Sequence, residues 1–270
     1  MLRKQKKWLT AFLLSASVAT GCSTMPTDQK PAENPSTNQP ANQESQEKPA
    51  KQEQAESKKP EARAALSATI APGKDGVMEV TNMHDILVVV NKKRNLKAEY
   101  EPTDLVQPNV PFSFEGKSPK KLMRKEAAQA LESLFAQAKQ ENIAILGQSA
   151  YRSYQTQESI FKRLSQKYGS KEEANKVSAY PGQSEHQTGL AIDITSKRVG
   201  YTLEENFGET PEGKWLAENA AAHGFIIRYQ KGKEDITGYS YEPWHIRYVG
   251  KEIAQEIVQR GITLEEYLSQ

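Results

Sequence analysis

Between Ser23 and about Ala65 the chain contains no aromatic residue and no isoleucine, valine or leucine. Gln, Glu, Lys, Pro, Asn, Ser and Ala fill the stretch, and they cannot bury enough apolar surface to offset the entropy of ordering a backbone. Folding is therefore confined to the residues beyond Ala65. Of 270 residues, about 200 remain for one compact domain, an ordinary size. Residues 23–66 read as a disordered polar tether, long enough to hold a domain several nanometres from an anchor. Residues 67–270 read as the domain itself.

Upstream, residues 1–22 carry Arg3, Lys4, Lys6 and Lys7, then an apolar run over 8–19, then Thr20-Gly21-Cys22. Charged, apolar and small-residue regions in that order make a secretory signal peptide, and the run is too short for an ordinary membrane span. Cys22 is the single cysteine, which excludes an intramolecular disulfide and any cysteine-rich zinc site. Small residues ending in Gly-Cys resemble a bacterial lipobox, with Ala19 standing where leucine is usual. The resemblance implies lipidation of Cys22 and a protein anchored to the outer face of the cytoplasmic membrane, facing the cell wall. A net charge of +2 gives no reason to expect nucleic acid as a partner.

Within the domain, order is expected from near Val77. The run over 86–90, rich in β-branched residues, predicts a buried strand. Leu122, Ala127, Ala130, Leu131, Leu134, Phe135 and Ala138 recur at helical spacing and predict an amphipathic helix over 121–140. A strand over 143–148 and a helix over 154–168, stopped by Gly169, come next. Pro181-Gly182 marks a turn. Residues 190–195 alternate, with Leu190, Ile192 and Ile194 on one face and Ala191 and Asp193 on the other. Further on, a helix over 212–223 ends at Gly224, and strands over 225–229 and 244–249 are joined by a loop containing Gly232 and Gly238. Helices over 251–260 and 264–268 close the chain. These elements predict an α+β fold, a small mostly antiparallel sheet with flanking helices.

A metal site in an open cleft is the expectation that comes from the histidines, of which there are four. His84 precedes a buried run with no ligand-like partner and reads as a surface or turn residue. His223 ends a helix, where an imidazole can bond free carbonyls and complement the dipole. His186 and Asp193 lie seven apart in Ser184-Glu185-His186-Gln187-Thr188-Gly189-Leu190-Ala191-Ile192-Asp193. Alone, such a pair is weak evidence. Joined to Glu242-Pro243-Trp244-His245 it is strong, because two histidines and one aspartate are a donor set that catalytic zinc favours, leaving one position for water. Pro243 opens a strand rather than continuing one, so Glu242 falls on a turn and His245 on the strand. The spare Glu242 is then placed to act as a base on that water.

Three stretches in this order, Ser149-Ala150-Tyr151-Arg152-Ser153, residues 184–193 and residues 236–250 around Tyr241-Glu242-Pro243-Trp244-His245, resemble the VanY-type D-alanyl-D-alanine carboxypeptidases. That group includes the LdcB-type L,D-carboxypeptidases of cell-wall turnover, and the resemblance spans about residues 86–261. It implies one zinc ion on His186, Asp193 and His245, Glu242 as catalytic base, and Arg152, Gln157 and Ser184 along the substrate cleft. Arg152 would meet either the substrate carboxylate or the developing oxyanion. Gln230 departs from the pattern, since relatives usually carry proline after Arg228-Tyr229. Tyr239, Tyr241 and Trp244 invite a substrate-stacking role, with core packing the better reading for Trp244.

The implied function is zinc-dependent removal of the terminal D-alanine from peptidoglycan stem peptides by metal-activated water, in a monomer. The alternatives are L,D-carboxypeptidase action on tetrapeptide stems, or endopeptidase action on cross-bridges. From a different class comes a non-catalytic cell-wall-binding module, against which the intact Glu242 and three intact ligands argue. Replacing the base should separate binding from chemistry. Glu242→Ala is expected to retain zinc and lose turnover, and an active variant would remove Glu242 from its role.

Overall fold

In the computed structural model, which describes residues 65–73 and 76–270, the site rests on one antiparallel sheet. The expected leader, Cys22 and nearly all of the tether lie outside the described residues. Order starts earlier than Val77. Leu66–Thr69 forms a 3-10 turn leading into β1 (Ile70–Pro72), which pairs with β2 (Met78–Val80). β3 (Leu105–Val106) pairs with β4 (Met123–Arg124), and α1 (Lys125–Gln140) comes directly after. The helix thus begins four residues later than its apolar spacing predicts. Pro119 opens a 3-10 turn over Pro119–Lys121, and the next residues are committed to the β3 ladder.

β5 (Leu146–Ser149) leads through a short loop to α2 (Tyr154–Tyr168), capped by the Ser153 hydroxyl and stopped by Gly169 at φ 83°. α3 (Lys171–Val177) is not among the expected elements. Its signal is Ser170 followed three residues later by Glu173, whose backbone N–H donates to the Ser170 hydroxyl. Then come β6 (Ala191–Thr195), α4 (Pro211–Asn219) with a 3-10 extension through His223, β7 (Phe225–Ile227), the short α5 (Glu234–Thr237), β8 (His245–Tyr248), α6 (Lys251–Arg260) and α7 (Leu264–Leu268). The sheet order is β5-β6-β8-β7, and every neighbouring pair is antiparallel. The α+β expectation holds.

Alternation along the two central strands divides the sheet into unlike faces. Ile192 and Ile194 on β6 and Ile246 on β8 join Leu131, Leu134 and Phe135 of α1 in the main core. The opposite face of the same strands carries Asp193, His245 and Arg247, all buried. A second apolar cluster, Val89, Ile226, Val249, Ala254, Ile257, Leu264 and Tyr267, seats α6 and α7.

Residues 86–90 are not a strand, although Val88, Val89 and Val90 are buried. Guanidiniums take the place of a neighbouring strand. Arg247 Nη2 donates to the carbonyls of Ile86 and Val88, each at 2.8 Å, and Arg94 Nε donates to that of Val89 at 3.0 Å. A buried carbonyl must be paired, but a side chain can pair it as well as a ladder can. His223 also departs from expectation. Its ring nitrogens meet Ser133 Oγ at 3.0 Å and Gln137 Oε1 at 2.6 Å on α1, so side chains rather than helix carbonyls are its partners. His84 is exposed and stands edge-on to Tyr100.

Arg94 also donates to the Leu66 and Thr69 carbonyls. Arg94→Ala would leave three carbonyls without this donor and should lower unfolding free energy by roughly 2–4 kcal/mol. Urea denaturation with an unchanged m-value measures it. A loss below about 0.5 kcal/mol, the scale of an ordinary surface substitution, would contradict this account of the 86–90 run.

Candidate metal centre

Asp193 of β6 and His245 of β8 are direct cross-strand partners. Side chains at such positions leave the sheet on the same face about 5 Å apart, and here His245 Nδ1 lies 2.9 Å from Asp193 Oδ1. His186 arrives from a 3-10 turn, Glu185–Thr188, just before β6. Gly189 ends that turn at φ 68°, and a Cβ there would lie 3.3 Å from the backbone nitrogen of Arg124. Both the left-handed backbone and the close approach require glycine. Inside the turn, Thr188 Oγ1 donates to the Glu185 carbonyl and accepts from Leu190 N–H. Gln187 Nε2 donates to the carbonyls of Lys97 and Tyr100. Gln187, Thr188 and Gly189 thus each have a local structural task.

His186 Nδ1 meets the Ala150 carbonyl at 2.8 Å, which requires the proton on Nδ1 and leaves the Nε2 lone pair 3.3 Å from Asp193 Oδ2. The two imidazoles stand at 88° with centroids 5.0 Å apart. Their donor atoms and an Asp193 oxygen all lie within 4.8 Å of one another, and all three residues are buried. Tetrahedral bonds of about 2.1 Å would separate donors by roughly 3.4 Å. The donor set fits a zinc ion, with two imidazoles and a carboxylate. Burial alone would raise the Asp193 carboxyl, but the imidazoles of His186 and His245 bring it below the usual carboxylate range. Tyr229 stacks on His245 at 4.9 Å and is itself packed by Tyr239.

Glu242 opens a turn closed by the bond from His245 N–H to the Glu242 carbonyl at 3.1 Å. Its Oε2 lies 3.9 Å from His245 Nδ1. The turn lets the two side chains converge, as the position of Pro243 predicts. Burial pushes the Glu242 carboxyl up to about 7, with Asp193 and Glu185 adding to the rise and His245 and Arg152 opposing it.

Arg152, Ser184, Glu242 and Trp244 line one cavity of about 270 Å³ with the three donors. Among the described residues no carboxylate lies within ion-pairing distance of Arg152. Its Nη1 donates to Gln157 Oε1 at 2.8 Å and its Nη2 to Ser149 Oγ at 3.3 Å, both neutral acceptors. Gln157 is the predicted residue that the structure does not bring to the cavity wall. It is buried behind Arg152, and its Nε2 is taken by Ala179 O at 2.6 Å and Ser178 Oγ at 3.0 Å. Trp244 both lines the cavity and packs against the core, so neither reading of it excludes the other. Gln230 bonds the Ile262 carbonyl, away from the cavity.

A family model described as "VanY: D-alanyl-D-alanine carboxypeptidase" matches residues 120–251. The Bacillus subtilis (strain 168) protein named "Putative carboxypeptidase YodJ" is 52% identical over 193 residues, covering 72% of this chain and 70% of the relative. This chain belongs to the VanY carboxypeptidase family. Among solved structures, the LdcB LD-carboxypeptidase matches with TM-score 0.70 and 51% identity, covering 72% of this chain and 91% of that one. A Zn(II) complex of a mutant of the D,D-pentapeptidase VanY from a VanB-type resistance cassette matches with TM-score 0.56 and 33% identity, covering 67% and 98%. The cofactor of this VanY-family chain is zinc, and among the described residues His186, Asp193 and His245 form a cluster that could hold it.

Sequence reasoning missed Glu185, Arg228, Arg247 and Glu265, which form a buried ionic cluster beneath the site. Arg247 has a findable signal, since residues two apart on a strand share a face and it stands two beyond His245. Asp193→Asn should weaken zinc binding more than about 100-fold, because a ligand loss exceeds the effect of removing a ligand's supporting hydrogen bond. Competition with a chromogenic chelator reads this directly. Retention of equimolar zinc by that variant would exclude Asp193 from the ligand set.

Proposed function

We propose that this protein is a zinc carboxypeptidase that removes the terminal D-alanine from peptidoglycan stem peptides, cutting the L,D bond of tetrapeptide stems. The observation that carries the reaction is one small cavity holding a buried His-Asp-His donor set, the Glu242 carboxyl beside it and a guanidinium with no carboxylate partner among the described residues. Zinc bound by His186, Asp193 and His245 would supply Lewis acidity to a water molecule and to the scissile carbonyl. Glu242 would take the proton from the water and deliver it to the leaving amine as the C–N bond breaks. A carboxyl that can both accept and release a proton suits both directions of that transfer.

Arg152 is the natural receptor for the free carboxylate that defines a carboxypeptidase substrate. Gln157 holds the guanidinium from behind, and Ser184 adds a hydroxyl to the wall. A cavity of about 270 Å³ is at the small end of ligand sites and suits a residue the size of alanine. Preference for the L,D bond rests on the nearness of the LdcB LD-carboxypeptidase, 51% identical against 33% for the D,D-pentapeptidase VanY. Removal of D-alanine from pentapeptide stems is the second reading, and the description of the matching family model favours it. Export and lipid anchoring at Cys22 of a monomer complete the proposal, which would place the cavity at the wall.

Mass spectrometry of tetrapeptide and pentapeptide stems after incubation with the protein tests this. Loss of one alanine from tetrapeptide, abolished by chelator and restored by zinc, is the expected result. Loss from pentapeptide alone would move the assignment to D,D cleavage. Loss from neither, with zinc bound, would overturn the carboxypeptidase reading.

A further inference from the structure

Glu185 has a side chain with no solvent exposure and lies between two guanidiniums and a metal ligand. Its Oε1 accepts from Arg228 Nε at 2.8 Å and from Arg247 Nη1 at 2.6 Å. Its Oε2 faces His245 Nε2 at 3.4 Å. Arg228 is held in turn by a two-bond contact to Glu265 of α7, Nη1 to Oε2 at 2.8 Å and Nη2 to Oε1 at 2.6 Å, and Asn91 Nδ2 donates to the same carboxylate. Arg247 is fixed by carbonyls of Ile86, Val88 and Tyr248. Two guanidiniums against two carboxylates leave the cluster neutral. Every polar atom of the Glu185 side chain is thereby assigned before any metal binds.

We propose that Glu185 is the positioning residue of the metal centre, fixing His245 with its proton on Nε2 so that the Nδ1 lone pair faces the metal position beside Asp193. The inference rests on the zinc-centre reading of the site. An ionised carboxylate can only accept, so Nε2, which faces Glu185, must carry a hydrogen; Nδ1 faces Asp193 at 2.9 Å in the metal-free site and gives up its own hydrogen when an ion binds there. The Ala150 carbonyl does the same for His186 at the opposite nitrogen. A carboxylate behind a metal-bound histidine both orients the ring and strengthens it as a donor. Through Arg228 and Glu265 this carboxylate is also tied to α7, so the closing helix braces a ligand with which it shares no strand pairing.

Glu185→Gln discriminates this role from a merely structural one because it keeps the shape and reverses one hydrogen bond. Guanidiniums only donate, so the carbonyl oxygen of the new amide stays with Arg228 and Arg247. Its NH2 then faces His245 Nε2, which must become the acceptor. The single ring proton is then held on Nδ1, where Asp193 accepts it, and the lone pair lies on Nε2, away from the metal position.

Chelator competition should show zinc binding about 10- to 100-fold weaker in Glu185→Gln, and 15N-histidine NMR of the metal-free variant should show His245 protonated at Nδ1 alone, where the wild type carries a proton on Nε2. Unchanged zinc affinity in a folded variant would overturn the proposal. Zinc-loaded wild type supplies a measurement that does not depend on the variant folding. His245 metallated at Nδ1, with a hydrogen-bonded Nε2 proton, supports the proposal, and metallation at Nε2 overturns it. A wild-type protein that binds no zinc would remove the metal-centre reading itself, and this inference with it.

Discussion

The antiparallel register of β6 against β8 is the constraint on which the site depends. It sets Asp193 opposite His245, and a slip of one residue would send one of the two to the far face of the sheet. Ile192 opposite Ile246 secures that register, because the same slip would turn isoleucines packed under α1 onto the polar donor face. The apolar core and the metal centre are thus alternate faces of one strand pair. What stabilises the fold on one side determines the spacing of the donors on the other.

The donor face is buried as well, and that is unusual for charged groups. Glu185, Arg228, Arg247 and Glu265 are removed from water together and neutralise one another. Burial alone would raise the Glu185 carboxyl, yet Arg228 and Arg247, with His245, hold it far below the usual range. Such a cluster contributes little net stability once desolvation is counted, but removing one member leaves a buried charge uncompensated. Its value here is geometric. Arg247 also closes the carbonyls of the 86–90 run, so one side chain links an irregular segment, a strand and the support beneath the site.

Much of this is legible in the chain. The sequence places α2, α6 and α7 at their observed ends, α2 with Gly169 as its stop, and alternation over 190–195 points Asp193 away from the apolar core. Pro243 correctly divides Glu242 from His245. The misses have physical causes. The 86–90 run has strand composition, but its carbonyl partners are arginines, one of them far away in sequence, which no local pattern reveals. Gln157 carries the polarity of a substrate contact and is instead occupied in holding Arg152. The cross-strand pairing of Asp193 with His245, and the cluster behind it, depend on tertiary register. The motif announces the donors without saying which nitrogen each presents.

The metal centre is defined by where the ion sits and what holds it. Anomalous diffraction at the zinc edge from crystals of the zinc-loaded protein measures this most directly. The expected result is one peak bonded to His186 Nε2, an Asp193 carboxylate oxygen and His245 Nδ1, with Glu242 beside it but outside bonding distance. A peak elsewhere, or one ligated by Glu242 in place of Asp193, would contradict the account.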